Sequence, residues 1–300
     1  MTDADSFTNT YIERLIDACN GMPIGVCAGI DPSPESCSLV TTSQRSYSSA
    51  REATAAHMRE LSFAIIDGAR AGGAVAVKPQ MAWFEHAGAA GIDALASVVE
   101  YAQSAGLLVV LDGKRGDVPH TARVYAEAYL GHDATSGIHA DAMTVNAWVG
   151  RDSLAAMNDV ARRRGCFIYA LLLTSNPGSA DLALVTDQSN TPWWHHVAGI
   201  IRDLDAGAVV GATRPRQLAE AASLLPDTPL LVPGLGAQGG SLTDVILHAG
   251  NPGAPALVTA SRSLLPGTAD DTEHLTAHVA AAVAAMVDQG HQACRTEQSL

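Results

Sequence analysis

"LVVLDGKRGDVPHTA", residues 108–122, starts as an apolar, β-branched run and stops at Asp112. A turn follows, carrying Lys114, Arg115 and Asp117, and then a helical pattern, "TARVYAEAYL". A strand, a polar turn and a helix in succession form the repeating unit of α/β folds. The run is apolar at consecutive positions, as in a parallel strand buried on both faces, and not at alternate ones. Seven more such runs occur: "IGVCAGID" (24–31), "AVAVK" (74–78), "AMTVN" (142–146), "CFIYALLLT" (166–174), "AGAVVGA" (206–212), "PLLVPG" (229–234) and "PALVTA" (255–260). Helical patterns fill the gaps between them, the longest being 51–72, 90–106 and the final "DDTEHLTAHVAAAVAAMVDQG".

Eight strands alternating with helices predict an α/β fold, a (β/α)8 TIM barrel, as a single domain over residues 1–300. A doubly wound sheet is the alternative. A helix at about 7–19 is expected to precede the first strand, and a polar tail after Gly290 is expected to be loose. Long connections, 32–50 and 176–191, follow the first and fifth runs. In a barrel these lie at the catalytic end, where lids are expected.

Composition excludes several classes. The net charge of −13 argues against a nucleic-acid partner, which clustered Lys and Arg would have to hold. The one basic cluster, Arg162–Arg164, reads as a solvated face near a helix C-terminus. No apolar run approaches the roughly 20 residues of a membrane span. The polar, acidic N-terminus does not read as a signal peptide. Five cysteines without paired or metal-ligand spacing suggest a reducing compartment, so a cytoplasmic protein is expected. No metal site is expected, and His195 and His196 read as structural.

Of the 18 basic residues only Lys78 and Lys114 are lysines. With arginine as the default cation, each lysine marks a place where a compact, tunable ammonium is needed; guanidinium cannot give up its proton. In a barrel, strand C-terminal ends face the active site. Asp31, Lys78, Asp112 and Asn146 end the first four runs. Strand alternation puts Asp112 and Lys114 on one side and points Arg115 away, while Asp117 follows Gly116 and lies beyond the strand. Two neighbouring aspartates alone would repel, and one would take up a proton. Interleaving two lysines makes a neutral array in which all four stay ionised, with charges about 4 Å apart interacting at roughly 4 kcal/mol for an effective dielectric near 20. A purely structural ion-pair network is the competing account.

"PGLGAQGG" (233–240) contains a literal G-x-G-x-x-G. A dinucleotide fingerprint belongs in a βαβ unit with an acid about 20 residues on, and none is present. A glycine-rich turn after the seventh strand of a barrel suits a phosphate instead, with Arg262 of "TASRS" as a clamp. "TSNPG" (174–178) is either a turn fixed by Pro177 or a site of hydroxyl recognition of a planar ligand. Thr121 could simply cap the helix that follows it.

Taken together, "DGKRGDVPHT" resembles the D-x-K-x-x-D-…-T signature of the orotidine 5′-phosphate decarboxylases, and "VVGAT" (209–213) resembles their second, longer subgroup. "GLGAQGG" and "SRS" resemble the family's phosphate-binding elements. The resemblance spans Asp31 to about Arg262. It implies a barrel that converts orotidine 5′-phosphate to UMP and CO2, the last step of pyrimidine synthesis, without cofactor or metal. It also implies a homodimer with shared active sites. Lys78, Asp112, Lys114 and Asp117 match the catalytic tetrad, with Asp117 and Thr121 supplied to the neighbouring subunit. Asp31 matches the ribose contact, Ser175 the pyrimidine reader, and Gln238, Gly239 and Arg262 the phosphate grip. Lys114 is the expected proton donor. Rival readings are a magnesium-dependent sugar-phosphate decarboxylase, an epimerase of the same barrel type, and a non-catalytic nucleotide-binding protein.

Overall fold

The computed structural model describes residues 10–33, 37–39, 47–131, 137–235 and 240–297. Its strands, in chain order, are β1 (Ile24–Ile30), β2 (Cys37–Leu39), β3 (Ala76–Pro79), β4 (Leu108–Arg115), β5 (Ala142–Val145), β6 (Phe167–Leu173), β7 (Gly207–Val210), β8 (Leu230–Pro233), β9 (Ala256–Ala260) and β10 (Gly267–Ala269). All eight predicted runs are strands, and they close in the order β1-β3-β4-β5-β6-β7-β8-β9. Parallel pairing of β1 with β9, Ile24 opposite Ala256 through Ala28 opposite Ala260, seals the barrel and rules out the doubly wound sheet. The three-residue β2 and β10 pair in parallel outside it. Neither was predicted, because three residues are too few to show a period.

The helices are α1 (Tyr11–Cys19), α2 (Ala50–Ala71), α3 (Met81–His86), α4 (Ala89–Ser104), α5 (Pro119–Tyr129), α6 (Arg151–Arg163), α7 (Ala180–Ala183), α8 (Trp193–Asp203), α9 (Pro215–Leu224), α10 (Leu242–His248) and α11 (Thr272–Glu297). Two expectations change at the ends of the chain. The first helix begins at Tyr11, capped by the Thr10 hydroxyl; residues 7–9 of the predicted element lie outside the described residues. The tail expected to be loose after Gly290 is instead helical as far as Glu297. Gly290 did not stop the helix. It is buried against Ile24, and a glycine inside a helix costs only about 1 kcal/mol relative to alanine.

The apolar residues sort into two layers, one between sheet and helices and one inside the barrel. The inner layer is the inward row of the strands, including Cys27, Ala76, Val110, Ala142, Tyr169, Val209, Leu231 and Leu257. Helix α1 closes the bottom of the barrel by adding Tyr11, Leu15 and Cys19 to this layer. The Tyr11 ring stacks on Phe167 at 5.3 Å, and its hydroxyl lies 3.1 Å from that of Tyr169. One strand period above the inner layer, the same inward row turns polar. Ala76 is succeeded by Lys78, Val110 by Asp112, Ala142 by Thr144 and Leu257 by Thr259. The core thus passes directly into the floor of a site at the C-terminal end of the barrel.

Of the two expected lids, residues 34–36 and 40–46 lie outside the described residues. The 176–191 segment holds a short 3-10 turn, Pro177–Ser179, followed by α7. Arg164 reaches the end of α5, donating to the carbonyls of Glu127 and Leu130, while Arg162 pairs with Asp205. His195 lies 2.8 Å from Glu220 and His196 lies 2.9 Å from Asp187, both away from the site.

Asp141 fastens the lower end. Its buried carboxylate accepts from Arg14 at 2.6 Å and from the backbone N–H of Val109 at 2.8 Å, tying α1 to β4. Asp141→Ala leaves that buried N–H without an acceptor. Urea unfolding is expected to show a loss of about 2 kcal/mol, with Asp141→Asn losing less.

Candidate active site

The geometry centres on Asp112. Its Oδ2 accepts from Lys78 Nζ at 2.6 Å and from Gln80 Nε2 at 3.1 Å. Its Oδ1 accepts from Lys114 Nζ at 2.6 Å and from Thr144 Oγ1 at 2.8 Å. Three neighbouring strands, β3, β4 and β5, thus direct their ends at one carboxylate. The two ammoniums differ in access: the Lys78 side chain is 7% exposed and that of Lys114 is 42% exposed. Lys78 is enclosed, whereas Lys114 projects into open space.

Burial alone would push the Asp112 carboxyl up, but Lys78 and Lys114 outweigh it and hold the group well below the usual carboxylate range. Burial likewise acts to lower Lys78, and the charges of Asp112 and Asp31 overcome it, raising the ammonium above its ordinary value. Asp112 and Lys78 are therefore both ionised at neutral pH.

The backbone at this point is irregular. Leu111 pairs with Met143 and Arg115 with Val145, so four steps of β4 run beside two of β5. This bulge carries Lys114 with φ +48°, in the left-handed region. Gly113 within the bulge has no side chain because a Cβ there would come within 2.6 Å of Met81 Sδ. Asp112 and Lys114 do converge, as expected, but through the bulge and not through regular alternation. Arg115 turns away, as expected. It pairs with Glu85 and lies over the rings of Tyr125 and Tyr129 at 5.7 and 6.0 Å.

A cavity of about 230 Å³ opens above the array. Of the residues singled out in the sequence, it brings together Asp31, Lys78, Asp112, Lys114, Ser175 and Arg262. Their charges leave one net positive charge. Leu171, Val209 and Leu231 provide an apolar part of the lining, suited to a flat ring. Gly211 of "VVGAT" lets the Ser175 backbone approach, since a Cβ there would lie 2.9 Å from Ser175 N. Arg262 is exposed at the mouth and engages no carboxylate among the described residues. Gln238 and Gly239 lie outside the described residues; on either side of them, the Gly240 N–H donates to Gly234 O at 3.1 Å.

Asp117 and Thr121 do not line this cavity. The Asp117 carboxylate accepts from the Val118 N–H at 2.7 Å, and its backbone carbonyl accepts from the Ser153 hydroxyl. Thr121 is not a helix cap: α5 starts at Pro119, with Val118 in the cap position. Asn146, expected to end its strand within the site, instead accepts from the Trp148 N–H at 3.0 Å and caps a short turn. Its strand stops one residue earlier. Sequence reasoning also missed Gln80 and Thr144. For Thr144 a signal existed, because it stands one strand period above the buried Ala142.

A barrel whose C-terminal mouth combines buried paired charges, an apolar wall and an unengaged arginine defines an enzyme acting on a small anionic molecule. The family is specific: the chain belongs to the orotidine 5′-phosphate decarboxylase / HUMPS family, whose model matches residues 26–265. It is 41% identical over 253 residues to the orotidine 5′-phosphate decarboxylase of Rhodopirellula baltica, covering 80% of this chain and 82% of that one. Among solved structures it resembles Leishmania donovani OMP decarboxylase (TM-score 0.73, 27% identity, 95% of this chain and 98% of that one). It also resembles the UMP synthase of that organism (TM-score 0.72, 29% identity), covering 93% of this chain but 56% of the longer one.

The sign of the pH dependence follows from Asp112. Its folded pKa is depressed, so its contribution to stability is complete above the unfolded value of about 3.9 and is lost as pH falls through the folded one. Carboxyl-carbon NMR is expected to show Asp112 still ionised at about pH 3, below the ordinary aspartate value of about 3.9.

Proposed function

We propose that the protein decarboxylates orotidine 5′-phosphate to UMP and CO2, the last step of pyrimidine synthesis, with Lys114 as proton donor. The observation that carries the reading is the Asp112 carboxylate held between two ammoniums, one enclosed and one open to the cavity. Loss of CO2 breaks a carbon–carbon bond and leaves the electron pair on a ring carbon that has no adjacent electron sink. Catalysis of the slowest such reactions takes stabilisation on the order of 20 kcal/mol. A pre-formed cation beside the carbon provides it without reorganisation. The Lys114 ammonium then gives its proton to the carbanion and is reprotonated from solvent. Asp112 fixes both lysines and faces the departing carboxylate. Arg262, with Gln238 and Gly239, would grip the phosphate; Asp31 would hold the ribose and Ser175 the pyrimidine.

No cofactor or metal has a part in this chemistry. Both Asp112 oxygens are occupied by ammonium donors, which leaves that carboxylate no free edge for a cation such as magnesium. This favours the decarboxylase over a magnesium-dependent relative.

The proposed assembly is a homodimer in which Asp117 and Thr121 complete the neighbour's site. Thr121 lies on α5 between Val118 and Val124, at helical spacings that put the three on one face. Val118 is 60% exposed, and Trp148 and Val149 are exposed alongside. Val149 approaches Gly116, so this apolar surface is continuous with the turn that carries Asp117. A surface of this kind suits a second copy of the chain. The proposed setting is the cytoplasm, consistent with five cysteines that form no disulfide among the described residues. Among the described residues no helix is long and apolar enough to cross a membrane.

Lys114→Ala is expected to abolish the loss of orotidine 5′-phosphate absorbance, measured with EDTA present, while UMP binding stays measurable by calorimetry. Turnover near the wild-type rate would reject the assignment. Arg262→Ala should raise KM far more than it lowers kcat. Mixing inactive Lys114→Ala with inactive Asp117→Asn should restore activity through hybrid dimers. If the mixture stays inactive, Asp117 serves its own subunit.

A further inference from the structure

Thr144 occupies an unusual place in the charge array. It is 1% exposed, on a strand whose other residues are apolar. Its single hydroxyl makes two bonds. It donates to Asp112 Oδ1 at 2.8 Å and accepts from the Lys114 backbone N–H at 3.0 Å. One proton and one lone pair thus connect the carboxylate to the backbone of the lysine that pairs with it.

The second bond follows from the bulge. Where β4 runs four steps against two of β5, the backbone ladder is interrupted between Leu111 and Arg115, and it resumes with the Asn146 N–H donating to Arg115 O at 2.7 Å. The Lys114 N–H falls in the gap, and the Thr144 hydroxyl is its acceptor. Lys114 also has φ +48°, a conformation that a residue bearing a Cβ holds only when its surroundings impose it. The first bond completes the shell of Asp112, giving each carboxylate oxygen one ammonium and one neutral donor. A carboxylate has about four lone-pair sites, so four donors leave it no freedom to rotate.

We infer that Thr144 is a positioning residue for decarboxylation, fixing the bulged Lys114 backbone and the Asp112 carboxylate so that the ammonium points at the reacting carbon. This rests on the proposed role of Lys114 and adds a residue on a neighbouring strand that governs its aim. A misplacement of about 1 Å in a reacting group can cost roughly 10²-fold in rate. Valine has nearly the shape of threonine and suits a buried strand, but it can neither donate to Asp112 nor accept from Lys114.

The test compares Thr144→Val, Thr144→Ser and Lys114→Ala. Thr144→Val should lower kcat roughly 10²-fold while KM for orotidine 5′-phosphate and Kd for UMP move less than about threefold. Thr144→Ser keeps the hydroxyl and loses a methyl group, so it should recover kcat to within about threefold even where its Tm is lowered. Two outcomes overturn the inference: a Thr144→Val kcat within twofold of wild type, or a Thr144→Ser kcat as low as that of Thr144→Val. If Thr144→Val does not fold, Thr144→Ala takes its place and the same comparison with Thr144→Ser decides. An active Lys114→Ala would reject the underlying mechanism, whereas an inactive Lys114→Ala beside a fully active Thr144→Val would reject only the role of Thr144.

Discussion

A buried carboxylate between two ammoniums is the constraint around which the top of this barrel is built. Neither of the two enclosed charges could occupy its place alone. Lys78 is enclosed, and an enclosed ammonium without a counter-charge would give up its proton. Asp112, equally enclosed, would take one up. Each is kept ionised by the other, at the ends of adjacent strands whose register the barrel fixes. The field over the cavity is therefore a property of the fold. It exists before any ligand arrives, and that is what makes electrostatic catalysis effective.

The same constraint explains why the most irregular backbone lies at the site. A regular β4 would carry Lys114 one residue pair further along the barrel wall. The bulge shortens that path and folds the lysine back over the aspartate, at 2.6 Å. Gly113 gives the room and Thr144 takes up the freed N–H. A left-handed lysine would be a liability elsewhere; here it sets the distance on which the array depends.

Much of this was legible in the sequence, for identifiable reasons. Parallel strands covered on both faces must be apolar throughout, so the eight runs stood out against the helical patterns. An arginine-rich chain with two lysines marked both ammoniums. The geometry joining them was hidden, because period-two alternation reaches the same pairing as the bulge by a different path. Thr144 was hidden too: threonine is an ordinary strand residue, so its hydroxyl gave no signal beside Asn146, whose amide looked more functional and caps a turn. Gln80 lay one residue past the strand end, behind Pro79. Gly290 illustrates the opposite error, a stop signal overridden by packing.

The motif "DGKRGDVPHT" is divided in space, and on the proposed reading the division has an electrostatic consequence. Asp112 and Lys114 face the cavity, while Asp117 and Thr121, past the turn at Gly116, do not line it, and Thr121 lies on α5. The cavity of one chain holds Lys78, Lys114 and Arg262 against Asp31 and Asp112, an excess of one positive charge. An aspartate contributed by a second copy would cancel that excess close to the lysines and leave Arg262 for the phosphate. The barrel itself needs nothing from a neighbour to close, since β1 pairs with β9 within the chain. On the proposed reading, association is therefore required for the charge balance of the site and not for the fold. Dilution to monomers would then remove activity while the barrel stays folded.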